Sequence, residues 1–379
     1  MKTGRLMPVS EVFVSVPDPR SRRHARHDLS ELLTVAVCAV LCGADDFVDV
    51  ALWGKSNLKW LRKFLRLKAG VPSHDTFCRV FAMIDPKAFE AAFLRWVGVL
   101  VPALAPGSVV AIDGKTSRRT GGKDTTGPLH MVSAFAAGMG LVLGQRATDQ
   151  KSNEITAIPE LLTTLALEGT IVTIDAMGTQ SAIARTIRSR GADYVLCVKD
   201  NHPKLTESIL LALAGVTGKI APASHFEERV KGHGRVEVRR CWAYDAVSQL
   251  YKSDQWAGLR SFAVIERERT IDGKTSRERH YYISSLPADA AKIAHAVRSH
   301  WSVENQLHWS LDVQFNDDQS RVRRGYAASN LVVLRHMALN LLRYNTIRKA
   351  SIKSKRLLAC MEDEFREQLL GFVAWAPRE

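Results

Sequence analysis

The heptapeptide IDGKTSR stands twice in this chain, at Ile112–Arg118 and at Ile271–Arg277, and the two copies keep different company. The first follows VVA (Val109–Ala111), so VVAID is a short continuous apolar run of the kind a buried strand shows, ending on Asp113. The second lies between FAVIERER and RERHYYISS, two runs of period-two alternation, which makes Asp272-Gly273 the tip of a type I′ hairpin. The copies are therefore not a working repeat. One is a turn, and the other brings a carboxylate out of a sheet.

Downstream of the first copy, Leu129–Thr148 gives two strand-like runs around Gly138 and Gly140, a hairpin signal. A helical pattern follows (Asn153–Leu167), then a strand (TIVTIDAMG), a helix (QSAIARTIRSRG) and a strand (ADYVLCVKDN). A hairpin feeding α-β-α-β predicts a mixed α/β architecture on a central sheet. Residues 221 to 286 alternate without a helical pattern and predict a β-rich segment. Helices return at Ala288–Phe315 and Ala328–Asn345, before a basic tail, Arg348–Arg356, expected to be solvated or close to DNA.

The first hundred residues read as helical. PDPRSRRHARHD (Pro17–Asp28) is a basic loop carrying Arg20, Arg22 and Arg23, and Asp28 and Glu31 have the spacing of a capping box. An apolar helix to Cys42 comes next, then amphipathic patterns at Leu58–Lys68 and Val71–Asp85. The last two are compatible with a helix-turn-helix module, or with plain packing.

Lys and Arg number 53 against 39 Asp and Glu, a formal charge of +14, which favours a polyanionic partner, nucleic acid before an acidic membrane surface. The six cysteines form no C-x-x-C, so reduced core thiols are expected, and with no apolar leader before a cleavage site the reading is cytoplasmic. The longest apolar run, Leu32–Cys42, is too short for the ~30 Å of a bilayer core, so no membrane span is expected. GHGR at Gly232–Arg235 is no phosphate-binding loop.

Asp113 after VVAI and Asp175 after IVTI both close apolar strands, where α/β sheets place their sites. Glu304 falls on the stripe Ile293, Val297, Trp301, His308, Leu311 and is expected to be buried there, with Trp301 in the core. A buried carboxylate needs a partner or a cation, and a shared divalent metal with Asp113 and Asp175 is the simplest one. An all-oxygen set suits Mg²⁺ or Mn²⁺, two ions for phosphodiester chemistry. His300, Glu304, His308 and Asp312, each four apart, are the competing zinc face or a structural ladder; no H-E-x-x-H supports zinc.

AIDGKTSRRT, DQKSNEITAIPELL, IVTIDAMGTQ, GADYVLCVKDNH, YYISSL, HWSVENQLHWSLDVQFNDD and NLVVLRHMALNLLR together resemble the H-repeat-associated, ISAs-type group of bacterial insertion-sequence transposases, over nearly the whole chain. The resemblance implies a ribonuclease H-like core of the DDE type, in two parts (101–215 and 287–345), around a β-rich insertion (216–286). A helical DNA-binding or associated domain (1–100) precedes it and a basic tail (346–379) follows. Asp113, Asp175 and Glu304 become the metal-binding triad. The implied reaction is metal-dependent cleavage at the element's terminal inverted repeats, freeing a 3′-OH that attacks target DNA, by a homodimer on DNA. Related transposases carry Arg four residues before the last acid and Lys seven after; here these are His300 and Leu311, and His300 keeps a possible phosphate contact. Lys115, Arg118, Arg119, Lys199 and His202 are the other phosphate candidates, beside Arg20, Arg22 and Arg23. Two other readings stand: a decayed relative that binds DNA without cutting, which the intact acids oppose, and a nuclease without strand transfer.

Overall fold

The apolar run before Asp113 becomes β1 (Val109–Thr116), which pairs antiparallel with β2 (His130–Ala136), itself antiparallel to β3 (Leu141–Thr148). On the other side of β1, β4 (Ile171–Ile174) and then β5 (Asp193–Val198) run parallel to it. Parallel neighbours need crossovers: α7 (Glu154–Thr164) precedes β4, and α8 (Ser181–Ser189) links β4 to β5. The order 3-2-1-4-5 is the ribonuclease H-like arrangement. These statements come from a computed structural model describing residues 7–21, 25–101, 103–122, 127–148, 154–216, 218, 220–232 and 234–372.

After α9 (Pro203–Leu213) the alternating segment folds as β6 (Ser224–Gly232), β7 (Arg235–Tyr244), β8 (Ser261–Ile271) and β9 (Lys274–Ser284). The second IDGKTSR is the β8–β9 turn, with positive φ at both Asp272 (48°) and Gly273 (76°), as a type I′ turn requires. The insertion is not a separate layer. β9 pairs antiparallel with β5, Val195 facing Ser284 and Val198 facing Tyr281, so one nine-stranded sheet results, ordered β3-β2-β1-β4-β5-β9-β8-β7-β6.

Period-two alternation divides that sheet's faces. Val109, Ile171 and Val195 join Cys241, Ala263 and Ile293 in one core beneath α10 (Ala290–His300), while Val110, Val172 and Tyr194 join the larger core on the other face. Beyond α10 come a π-helical turn (Val303–His308), α11 (Trp309–Phe315), α12 (Ala327–Tyr344), α13 (Ile352–Met361) and α14 (Asp363–Leu370).

The N-terminal region holds α1 (Val9–Val12), α2 (Leu29–Leu41), α3 (Phe47–Ser56), the single turn α4 (Leu58–Leu61), α5 (His74–Met83) and α6 (Pro86–Leu100). Its buried residues share one core with α12 and the sheet. Two expectations are corrected. The Leu58–Lys68 helix stops at Leu61 and the chain turns through Leu67 (φ 43°), so no helix-turn-helix pair forms with α5. The capping box is half made: Asp28 accepts from the Glu31 amide (3.0 Å), but the Glu31 carboxylate accepts from the Arg66 amide instead (2.6 Å).

The tail is folded, with Arg348, Lys349 and Lys353 exposed as expected and Lys355 and Arg356 turned inward. Ser351 caps α13, the Lys355 ammonium is buried and donates to the Leu342 and Asn345 carbonyls, and Arg356 donates to the Val40 carbonyl (2.9 Å). Among the described residues no helix is long and apolar enough to cross a membrane. All six cysteines are free, four of them buried.

Candidate active site

The parallel register aligns Ile112 with Ile174, the last paired residues of β1 and β4. The next residues are Asp113 and Asp175, so the two acids leave neighbouring strands side by side, strands that run about 4.8 Å apart. β1 itself continues to Thr116 along β2, so Asp113 sits where its parallel neighbour stops rather than at a strand end. By alternation both acids share the sheet face of Val109 and Ile171, which α10 covers. Asp175 is exposed and accepts from the Met177 amide (3.0 Å), while Asp113 is largely buried.

α10 crosses this face and its last residue, His300, is fixed by a Thr173 hydroxyl contact at Nδ1 (3.1 Å). Burial depresses the His300 imidazole to about 4, so it is neutral near pH 7. The π-turn follows immediately. It breaks the expected stripe: the buried positions step from Val297 to Val303, Leu307 and Leu311, and Glu304 and Trp301 fall outside, both exposed, Trp301 by 46%. The expectation of a buried Glu304 and a core Trp301 is thus corrected, and an extra residue in the turn is the reason. Glu304 lines the groove between the π-turn and the β7–β8 ribbon, from where its charge still reaches Asp113.

The Asp113 carboxyl is pushed up to about 7, first by burial and then by the Asp175 charge, with Glu304 and Glu154 adding to it, against the Gly114 amide that it accepts from (2.9 Å). His308 Nδ1 lies 3.6 Å from Asp113 Oδ2, and burial holds that imidazole near 4, so it brings no compensating charge near neutrality. Among the described residues neither Asp175 nor Glu304 has an ion-pair partner within 4.0 Å. An uncompensated set of three carboxylates suits divalent cations. The three do not close to within 4.8 Å of one another; the acidic group that does is Asp312, Asp317 and Asp318. That group already holds a cation: the Lys115 ammonium lies 2.8, 3.1 and 3.0 Å from its three carboxylates, and Arg335 pairs with Asp317. The zinc face is not assembled either, because His300 turns to Thr173, His308 to Asp113 and Asp312 to Lys115.

Sequence reasoning missed the support beneath Asp113. His130 Nε2 and Glu154 Oε1 meet at 2.5 Å, both buried, and His130 Nδ1 meets the Thr116 hydroxyl at 2.8 Å. A Cβ on Gly114 would lie 2.4 Å from both atoms of that pair, so only glycine lets β1 pass over it. No local pattern announces this; it depends on the β1–β2 register.

The basic candidates separate by environment. Lys199 and Arg119 are exposed, and Arg118 is too, its side chain 81% accessible with Nε 3.2 Å from Asp318. Lys115, 10% exposed, is spent on the acidic cluster, and Arg20 makes a bidentate pair with Asp18 (2.8 and 2.7 Å). His202 contacts the Thr179 carbonyl (2.5 Å) and packs edge-on against Trp256. Arg22 and Arg23 lie outside the described residues.

A sheet ordered 3-2-1-4-5, with Asp113 and Asp175 side by side on its neighbouring parallel strands, is the setting of a nucleic-acid-processing enzyme, and the chain belongs to the transposase DDE domain family, whose model matches residues 104–341. A second model, described as DDE_Tnp_1-associated, matches residues 10–97. Among curated relatives, the protein named "Putative transposase YncI" of Escherichia coli O157:H7 is 39% identical over 368 residues, 95% of this chain and 93% of that one. "H repeat-associated putative transposase YhhI" of Escherichia coli K12 is 37% identical over 362 residues, 94% of this chain and 96% of its own. The resemblance read in the motifs is therefore shown along most of the chain. A chain of the piggyBac transposase synaptic complex with hairpin DNA aligns at TM-score 0.44 and 10% identity, covering 98% of this chain and 78% of that one, too loose a likeness to transfer anything.

Proposed function

We propose that this protein cleaves DNA at the ends of an insertion element and joins the freed 3′-OH to target DNA, with Asp113, Asp175 and Glu304 as the acids that hold divalent cations. The observation that carries the reading is the parallel β1–β4 register that sets Asp113 beside Asp175, with the Asp113 carboxyl pushed up to about 7 first by burial and then by the Asp175 charge, Glu304 adding to it. Mg²⁺ or Mn²⁺ bound there would supply Lewis acidity to the scissile phosphodiester and to its attacking oxygen. The chain's own share is placement. β1 and β4 hold two acids in register, the His130–Glu154 pair seats the β1 backbone, and the His300–Thr173 contact anchors the helix end that leads to Glu304. Neutral His308 stands beside Asp113 without competing for a cation. In the first reaction water breaks one P–O bond at the element end. In the second the 3′-OH attacks a target phosphate in line, a new P–O bond forms and the target's 3′-oxygen leaves. Two element ends call for a homodimer on DNA. Intact acids on an intact scaffold favour this over a decayed DNA-binding relative.

Calorimetric titration with Mn²⁺ tests the site. Asp175→Asn is expected to weaken binding by at least about tenfold, since even partners one shell further out cost that much. Unchanged Mn²⁺ binding in that variant would exclude Asp175 as a ligand.

A further inference from the structure

The two faces of the ribbon made by β7, β8 and β9 are charged differently. On one face Arg240 reaches Glu227 (2.7 Å), Glu266 and Glu268 (both 3.2 Å), Arg277 reaches Glu268 (3.0 Å) and Arg279 reaches Glu266 (2.8 Å). Three guanidiniums meet three carboxylates, and that face is closed on itself. On the other face the register sets Glu237 opposite Arg269 and Arg239 opposite Arg267. Four guanidiniums, of Arg235, Arg239, Arg267 and Arg269, lie 3.1, 2.5, 3.8 and 3.4 Å from the single carboxylate of Glu237, whose side chain is 6% exposed. Across from them α10 offers Arg298, paired with Glu228. Arg239 lies 3.6 Å from Glu228 as well, and the register sets Glu278 opposite Arg267 on this face, so five arginines meet three carboxylates there.

This second face is one wall of a groove of about 640 Å³ whose other wall is α10 and the π-turn, and Glu304 lines the same groove. Glu228, Glu237 and Glu304 line the groove as well, so its walls are mixed in sign but carry a surplus of guanidiniums, and a concave surface with a cationic surplus concentrates an anionic partner. We propose that this groove binds the sugar-phosphate backbone of DNA, its phosphates meeting the surplus guanidiniums of Arg235, Arg239, Arg267 and Arg269, and leads the strand to Glu304. The inference rests on the DNA-processing reading above. It makes the β-rich extension a binding wall of the site rather than an appendage.

The test is fluorescence anisotropy of a labelled random-sequence DNA duplex with the full chain, metal omitted, across a range of KCl. Arg267→Gln/Arg269→Gln is expected to weaken binding roughly tenfold or more at moderate salt and to lower the slope of log K against log salt by about 1.8, two phosphate contacts. Glu237 keeps Arg235 and Arg239, and thermal melting checks the fold. Arg298→Gln, on the opposite wall, is expected to lower the slope by about 0.9. Arg277→Gln/Arg279→Gln, on the closed face, is expected to bind as the wild type does. The proposal is overturned if Arg267→Gln/Arg269→Gln and Arg298→Gln both bind normally, or if the closed-face variant loses as much. Wild-type protein that binds no DNA would strike down the DNA-processing reading as well. Wild-type binding and metal-dependent cleavage with unaffected groove variants would remove the groove alone.

Discussion

Asp113 carries a cost when ionised that a proton or a cation relieves. In the unfolded chain its carboxyl titrates near the usual 3.8, in the fold near 7, so between those values the native state holds the extra proton. Its contribution to stability therefore falls as pH rises from about 4 to 7 and stays low above that, by about 4 kcal/mol at most. His300 and His308, depressed to about 4, work oppositely and are lost as pH falls below 6.5, so a difference between variants is the clean readout. In chelator, Asp113→Asn is expected to melt well above wild type at pH 8, with the gap closing towards pH 4; a gap independent of pH would refute the shift. This residue and Asp175 are legible in the sequence because a carboxylate ending an apolar strand breaks its pattern. His130 and Glu154 are not, since their meeting needs the strand register and the bare backbone of Gly114.

Among elements, the exit of β1 is tied down by the segment from α11 onward. Lys115 engages Asp312, Asp317 and Asp318, and Ser117 donates to Asp317 (2.6 Å). Removing one partner from a buried charge cluster is costly, so Lys115→Met is expected to lose about 3–5 kcal/mol in urea denaturation. Lys199→Ala, exposed, is expected to stay within about 0.5 kcal/mol. Equal stability of the two would mean that the cluster contributes nothing. The sequence places both lysines just past an apolar strand run, Lys115 after VVAID and Lys199 after Val198, and offers no way to separate them; long-range pairing does. The π-turn is equally silent in the letters, because HWSVENQLHWS fits an unbroken 3.6-residue period. Only the switch of buried positions from Val297 to Val303 reveals it, and with it why Glu304 is exposed rather than buried in the stripe.

At the scale of the molecule, the β-rich stretch and the basic tail both prove to be integral. The stretch was legible as strands by its alternation, but not its pairing with β5, which lies many residues earlier. The tail reads as basic, yet Arg366 is 1% exposed, stacks 4.1 Å over the Trp60 ring and donates to the Ala359 carbonyl (2.9 Å). Arg366→Ala is expected to cost about 2–4 kcal/mol by thermal melting, through a cavity and carbonyls left without donors; an unchanged melting temperature would mean the tail is not part of the core.

The central claim is that Glu304 completes a site begun by Asp113 and Asp175. The direct measurement is nicking of a duplex carrying the element's terminal repeat, with Mg²⁺, by wild type and by Glu304→Gln. Metal-dependent nicking that the substitution abolishes while DNA binding persists is the expected result, and equal nicking by both proteins would contradict the three-acid site.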